Sequence, residues 1–393
     1  MKSNHVKTMA VLVLLAGGTS ACTDIVTYND NYDDGLTSVG APVIEQVFSA
    51  DDVEKENPIT AGVFEQMLVL TGKNLSHVKK AAFNGVEVAV SEIYATAAYA
   101  YLPIPRKLPE AVDNKLYYET DLGAVLFDFE VSIPDVKVEG LYNEYCAPGD
   151  TVQLMGDYFD LYGFGGVTAT STLTMSGKSL EVDSISEGYL SVIIPKDAEA
   201  NSVISIDYEG VNGHVVKKIA YRNNEGILFD FANPSGNGSS SINKTDYITQ
   251  GDEYGAPEPI DGKPYVRVIG DFNSWAWSEW MNGNMVIDED IASNPSGYVF
   301  KFETNSASNS PFYDGGYHFV IGDDMYTWNP SGSGSFNTYG TWRTITIDLG
   351  EMAPSLREQG AGTYWYKFVI NAPGVDWRGL DHSFTNFRIE KKL

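Results

Sequence analysis

The chain has 393 residues, enough for two to four domains, each with its own core. A formal net charge of −27 argues against a nucleic-acid partner, which requires a basic surface, and against strongly anionic ligands such as sulfated or uronic polymers. With 24 Tyr, 18 Phe and 38 Gly, and little helical periodicity, the composition is that of an all-β protein rich in turns, suited to a neutral ligand.

Residues 1–21 read as an export signal: Lys2, His5 and Lys7 precede an apolar run from Met9 to Ala16, and small residues follow. The run is too short to cross a bilayer as a helix. Thr19-Ser20-Ala21-Cys22 resembles a bacterial lipobox, with Thr19 where Leu is usual. Lipid on Cys22 would tether the chain to a membrane. Residues 22–40 are polar and acidic without apolar periodicity, which predicts a flexible tether. The other cysteine, Cys146, then has no partner and is expected to be a buried apolar side chain. Neither the cysteines nor the five scattered histidines have zinc-site spacing, and no cofactor is expected.

Ordered structure should begin near Gly40-Ala41-Pro42, and two stretches then repeat each other, 41–132 and 133–225. Met67-Leu68-Val69-Leu70-Thr71-Gly72 in the first corresponds to Thr151-Val152-Gln153-Leu154-Met155-Gly156 in the second, and the two glycines lie 84 residues apart. Each copy is a series of short alternating strands broken by turn residues, the pattern of a small β-sandwich. The run apolar-x-Leu-x-Gly-x-x-apolar resembles the IPT/TIG immunoglobulin-like domain, with the glycine expected to permit a turn. Neither copy contains Trp or a catalytic motif, so both look like spacers.

A larger domain is predicted over 226–393, of β-sandwich or jelly-roll type. Residues 233–241 and 250–264 read as loops. Strands are expected at Tyr265–Gly270, Tyr298–Glu303, Tyr317–Gly322, Trp342–Leu349, Tyr364–Asn371 and Asn386–Lys391. All seven tryptophans lie here, and Trp275, Trp277 and Trp280 fall within ten residues among Asp, Asn, Ser and Glu. Flat apolar rings flanked by hydrogen-bonding groups suit a pyranose sugar, which has C–H faces and a hydroxyl rim. Trp275 and Trp277 share a parity and, on an extended segment, would point the same way. Trp328 and Trp377 are expected in loops. Trp342 and Trp365 fall on the polar parity of their strands, which predicts exposed rings. Arg267, Asn273, Glu279 and Asn282 are candidate hydrogen-bonding partners for sugar hydroxyls. Asp252, Glu253 and Asp261 offer hard oxygens for calcium, but no spacing motif supports a site.

Lipidated N-terminus, tandem immunoglobulin-like units and a Trp-rich C-terminal β domain together resemble the outer-membrane surface glycan-binding lipoproteins of bacterial polysaccharide-utilisation systems. Ile227–Phe231 and Ser383–Lys391 look like the opening and closing strands of that family's C-terminal domain. The resemblance implies a non-catalytic lipoprotein on the outer face of the outer membrane. It would capture a polysaccharide, often a β-glucan such as xyloglucan or mixed-linkage glucan, beside a TonB-dependent transporter and a second binding lipoprotein. The competing readings are a structural adhesin, which leaves the tryptophans unexplained, and a glycoside hydrolase, which needs a carboxylate pair at a set separation. The anchor is tested directly: Cys22→Ala is expected to carry no lipid and to leave the membrane fraction, and a variant that still sediments with membranes and carries lipid refutes it.

Overall fold

The computed structural model describes residues 37–166, 168–234, 245–332 and 334–392; the expected signal and Cys22 lie outside them. The fold is all-β, and the chain divides into two compact units, the first ending at Pro134 and the second running from Asp135.

In the first unit, Val43–Ser49, Met67–Lys73, Tyr99–Pro103 and Tyr94–Ala95 form one antiparallel sheet. Val86–Val88, Val78–Phe83, Lys115–Thr120 and Gly123–Asp128 form another. Strict alternation in Lys115–Thr120 sends Leu116 and Tyr118 inward against Leu68, Leu70, Phe83, Leu102 and Phe129. The second unit begins with the same scheme. Lys137–Leu141 pairs with Thr151–Asp157, and Ser202–Gly210 pairs with Thr172–Met175 and Gly213–Tyr221.

The repeated glycine serves a purpose other than the expected turn. Gly72 sits in a strand at a register slip, where an added Cβ would fall 1.9 Å from the Val43 carbonyl oxygen. Gly156 is in the same position, 1.9 Å from the Lys137 carbonyl oxygen. Only a residue without a Cβ lets the two backbones approach this closely. Cys146 is buried, and burial pushes its thiol up to about 12, so it behaves as a small apolar group.

Beyond this, a five-stranded sheet (Ile248–Thr249, Tyr265–Phe272, Trp377–Lys391, Tyr298–Ser306, Arg343–Asp348) faces a four-stranded one (Ser278–Ile287, Gly362–Ile370, Tyr317–Ile321, Asp324–Trp328). Phe300, Phe302, Phe319, Phe368, Phe384 and Phe387 fill the space between them. Three strands depart from the sequence reading. Asn282-Gly283 is a mid-strand pair in Ser278–Ile287, with Gly283 buried opposite Tyr366, and Trp328 closes a strand. The closing strand is longer than expected, starting at Trp377.

A buried ionic cluster joins the two parts of the second unit. Arg388, with no exposed surface, donates from Nη2 to Glu144 Oε2 at 2.6 Å, from Nη1 to Glu303 Oε2 at 2.9 Å and from Nε to Glu390 Oε1 at 2.6 Å. Lys301 Nζ lies 2.7 Å from Glu144 and 3.0 Å from Glu390, and Tyr145 stacks on the guanidinium at 5.0 Å. Burial pushes the Glu303 carboxyl up. Glu390, opposed by the same burial, is nonetheless held down by Arg388 and Lys301.

The core also holds His382, stacked on Phe312 at 3.9 Å. Its Nε2 lies 2.9 Å from the Ser310 carbonyl, which can only accept, so Nε2 carries the proton and Nδ1 accepts from the Tyr317 hydroxyl at 3.0 Å. Burial lowers the ring's pKa from 6.5 to about 4. Above pH 6.5 the ring is neutral in both folded and unfolded chains, and its contribution to stability is complete. As pH falls, the unfolded chain takes up a proton that the native core refuses, so stability is lost. That loss should reach about 3 kcal/mol by pH 4. Urea unfolding at pH 7 and pH 4.5 is expected to show the decline, and His382→Gln should reduce it; an unchanged slope in the variant assigns the decline to the carboxylates instead.

Candidate functional site

The outward face of the four-stranded sheet carries a connected set of aromatic and polar side chains. Trp277, just before the Ser278–Ile287 strand, lies nearly parallel to the His318 imidazole, with ring centroids 6.0 Å apart and planes 10° apart. Burial lowers the pKa of His318, so the stacked partner is neutral at physiological pH. Trp277 Nε1 donates to Glu279 Oε1 at 3.1 Å, and Asn282 Nδ2 donates to Glu279 Oε2 at 2.7 Å. Lys367 Nζ lies 2.8 Å from Glu279 and 4.4 Å above the Trp365 ring. Lys367 holds the Glu279 carboxyl below its usual range, with smaller help from Trp277 and Asn282.

The chain of contacts therefore runs His318, Trp277, Glu279, Lys367, Trp365. Val369 pairs with both Glu279 and His318. Trp365 is four residues away on the same strand face, so the two tryptophans are separated by roughly 13 Å along the strand. Each is 48% exposed. The result is a flat platform with a ring near either end and polar groups between, long enough for a few sugar units rather than one.

The platform ends in a loop region. Trp275 is 68% exposed, but it sits in a turn with φ +59, so it is not the extended partner of Trp277 that parity suggested. Its N–H donates to the Ala372 carbonyl at 2.8 Å, and Ser274 N–H donates to Asp376 Oδ1 at 2.8 Å. The loop is thereby fixed against residues 371–379. Asn273 is exposed and accepts from Ala276 N–H at 3.1 Å to close the turn. Nearby, Asn371 Oδ1 is buried with no hydrogen-bond partner among the described residues. A cleft of about 420 Å³ opens nearby, walled by Tyr313, Val375, Trp377 and Arg378. The Tyr313 and Trp377 rings are 5.8 Å apart, and Arg378 is paired with Asp376.

Four expected site residues belong elsewhere. Trp280 is 2% exposed and stacks on Phe384 at 4.6 Å in the core. Trp328 is buried against Phe302 and Phe312. Both face inward because their strands alternate toward the aromatic core. Arg267 is buried in a bidentate pair with Asp381, at 2.7 and 2.6 Å, and its Nη2 reaches the Tyr254 carbonyl at 3.3 Å. Trp342 donates from Nε1 to the Glu258 carbonyl at 2.8 Å and meets Tyr265 edge-on. Arg267 and Trp342 thus pin the 250–264 loop rather than face a ligand. Trp377 is largely buried and offers only a wall to the cleft. Lys367, His318, Tyr313 and Arg378 were not singled out from sequence. Lys367 was legible, since it shares the parity of Trp365; the other three depend on contacts far apart in the chain.

Residues 221–391 match the family model described as surface glycan-binding protein B xyloglucan binding domain. Among solved structures, surface glycan-binding protein PbSGBP-B from Prevotella bryantii is 16% identical, with 91% of this chain and 100% of that one covered at a TM-score of 0.51. SGBP-B from a complex xyloglucan utilization locus in Bacteroides uniformis is also 16% identical, with 89% and 99% covered at a TM-score of 0.41. No curated protein matches the chain. The chain thus carries, over residues 221–391, a domain of the surface glycan-binding type. More particularly, it resembles the B-type surface glycan-binding proteins, whose xyloglucan-binding domain is the pattern carried by residues 221–391.

Thermal melts separate core from platform. Trp280→Ala and Trp328→Ala are expected to cost about 3–5 kcal/mol of stability. Trp277→Ala and Trp365→Ala, which remove half-exposed rings, should stay within about 1 kcal/mol of the parent. Equal losses in all four would place the platform rings in the core.

Proposed function

We propose that the outward face of the four-stranded sheet captures one chain of a neutral β-glucan, xyloglucan or mixed-linkage glucan. Trp277 and Trp365 would stack on pyranose faces, Trp275 would extend the contact at the loop end, and Glu279, Asn282, Lys367 and Asn371 would meet hydroxyl rims. The observation that carries this reading is the ion-paired bridge between two half-exposed tryptophans on one rigid sheet. Residues 226–393 would be the binding domain. Lipid on Cys22 would hold the protein on the outer face of the outer membrane, where it would hand glycan to a TonB-dependent transporter together with a second binding lipoprotein.

Binding without turnover fits the carboxylate chemistry. Glu279 is ionised and engaged by three donors, Lys367, Asn282 and Trp277, which orient rings rather than shuttle protons. Affinity per site should be modest, because an open face excludes little water. Isothermal titration of Trp277→Ala and Trp365→Ala with glucan oligosaccharides is expected to show a loss between about fivefold and a hundredfold for each, from about 1–3 kcal/mol of stacking. No released sugar should appear on incubation with polymer. Parent-like affinity in both folded variants removes the platform from the site, and released oligosaccharide makes the protein an enzyme.

A further inference from the structure

The first unit was expected to be a spacer, yet one of its sheet faces carries the same device on a smaller scale. Tyr94 and Tyr101 are direct cross-strand partners, with ring centroids 6.1 Å apart and planes tilted by 51°. Tyr99 is two residues before Tyr101 on the same face, about 7 Å along the strand. Lys55 Nζ stands 5.5 Å over the Tyr99 ring, much as Lys367 stands over Trp365. Pairing places Thr71 and Gln46 in the row of Tyr99, and Val69 and Phe48 in the row of Tyr101. Val69 and Phe48 are buried, whereas Tyr94 is 67% and Tyr99 43% exposed. The face therefore has an apolar floor, three projecting phenol rings, a lysine and flanking hydroxyl and amide groups.

We infer that this face is a second glycan-contact site, for a neutral polysaccharide chain; the inference rests on the reading that the protein binds glycan by aromatic stacking. The chemistry selects the occupant. The rings are tyrosines, each with an apolar face and a polar rim, which suits a sugar better than an aliphatic protein surface. Three partly exposed rings of roughly 200 Å² each offer on the order of 300 Å². A stable protein partner needs about 800 Å² per side, so a second copy of the chain is too large an occupant. The charge of −27 disfavours nucleic acid and anionic membrane.

The test uses the full chain in four forms: parent, Tyr94→Ala/Tyr101→Ala, Trp277→Ala/Trp365→Ala, and all four changes together. Each is run on native gels cast with xyloglucan or mixed-linkage β-glucan, with sedimentation and thermal melts alongside. The tyrosine pair is expected to lower polymer retention several-fold while the melt stays unchanged. It should also remove whatever retention survives in the tryptophan pair. Tyr94→Ala alone, the most exposed change, gives a fold-neutral check if the double variant melts early. Parent-like retention of the tyrosine variants in both gels overturns the inference, as does a change in sedimentation with retention intact, which would make the face a protein contact. The two sites fail separately. If the tryptophan pair alone leaves retention unchanged and the tyrosine pair abolishes it, the C-terminal platform is wrong and this site stands.

Discussion

The platform depends on one extra residue in one strand. In Ser278–Ile287 the register slips between Glu279 and Met281, so Trp280 and Met281 both turn inward. Simple alternation from Glu279 would have sent Met281 out and Asn282 in. With the bulge, Glu279 and Asn282 both face solvent, close enough for the 2.7 Å hydrogen bond that joins them. Trp280 gives the bulge its stability. It packs on Phe384, Phe368 and Phe387, and burying a side chain of that size offsets one lost ladder pairing. The same strand thus delivers one tryptophan to the core and another to the surface, and the first fixes the position of the second.

A second constraint acts on the back of the domain. Arg388, Lys301 and three glutamates share a site with almost no access to water. Removing five charged groups from water is expensive, and their mutual attraction recovers the loss only when geometry is close to ideal. Such a cluster adds little net stability over an apolar contact of the same size. It does punish every other docking, since any displacement of Glu144 leaves Arg388 buried and underpaired. The Tyr142 carbonyl, which accepts from Thr344 N–H at 2.8 Å, and Glu144 N–H, which donates to the Thr344 hydroxyl at 2.8 Å, hold that edge in place. The second sandwich and the C-terminal sheets therefore form one unit for electrostatic reasons. That coupling is invisible in a composition that suggests a plain spacer.

The sequence carried the fold well, because period-two alternation and turn residues are local signals. All-β class, the repeated sandwich pattern and six strands of the C-terminal region could be read from it. The repeat glycines were legible as fixed positions but not in their reason, since a close approach of two backbones involves residues well apart in the chain, Gly72 with Val43 and Gly156 with Lys137. At the site, parity correctly put Trp365 on an outward face. It failed for Trp275, where a left-handed turn breaks the extended chain; Trp280 was misplaced by its polar neighbours, although alternation from Glu279 already sends it inward. Arg267 read as a free hydrogen-bond donor because its partner, Asp381, is distant in sequence. The tyrosine face of the first unit has no tryptophan to mark it; Tyr99 and Tyr101 alternate plainly in the sequence, but their neighbour Tyr94 joins them only through strand pairing.

The contacts around Trp277 bear on why an open face can hold a ligand at all. A half-exposed indole on a mobile loop would lose rotamer freedom on binding, and the cost would cancel much of the stacking gain. Here the ring is already held from behind by a neutral imidazole and from its edge by a carboxylate that is itself clamped by Lys367 and Asn282. Lys367 likewise restrains Trp365. The ordering is done when the sheet folds, so binding need not supply it. What remains is a shallow, rigid surface whose single-site affinity is limited by exposure to water. Against a polymer that limit is mild: a chain presenting many equivalent units rebinds before it diffuses away, and a second weak face on the same protein raises the local concentration further.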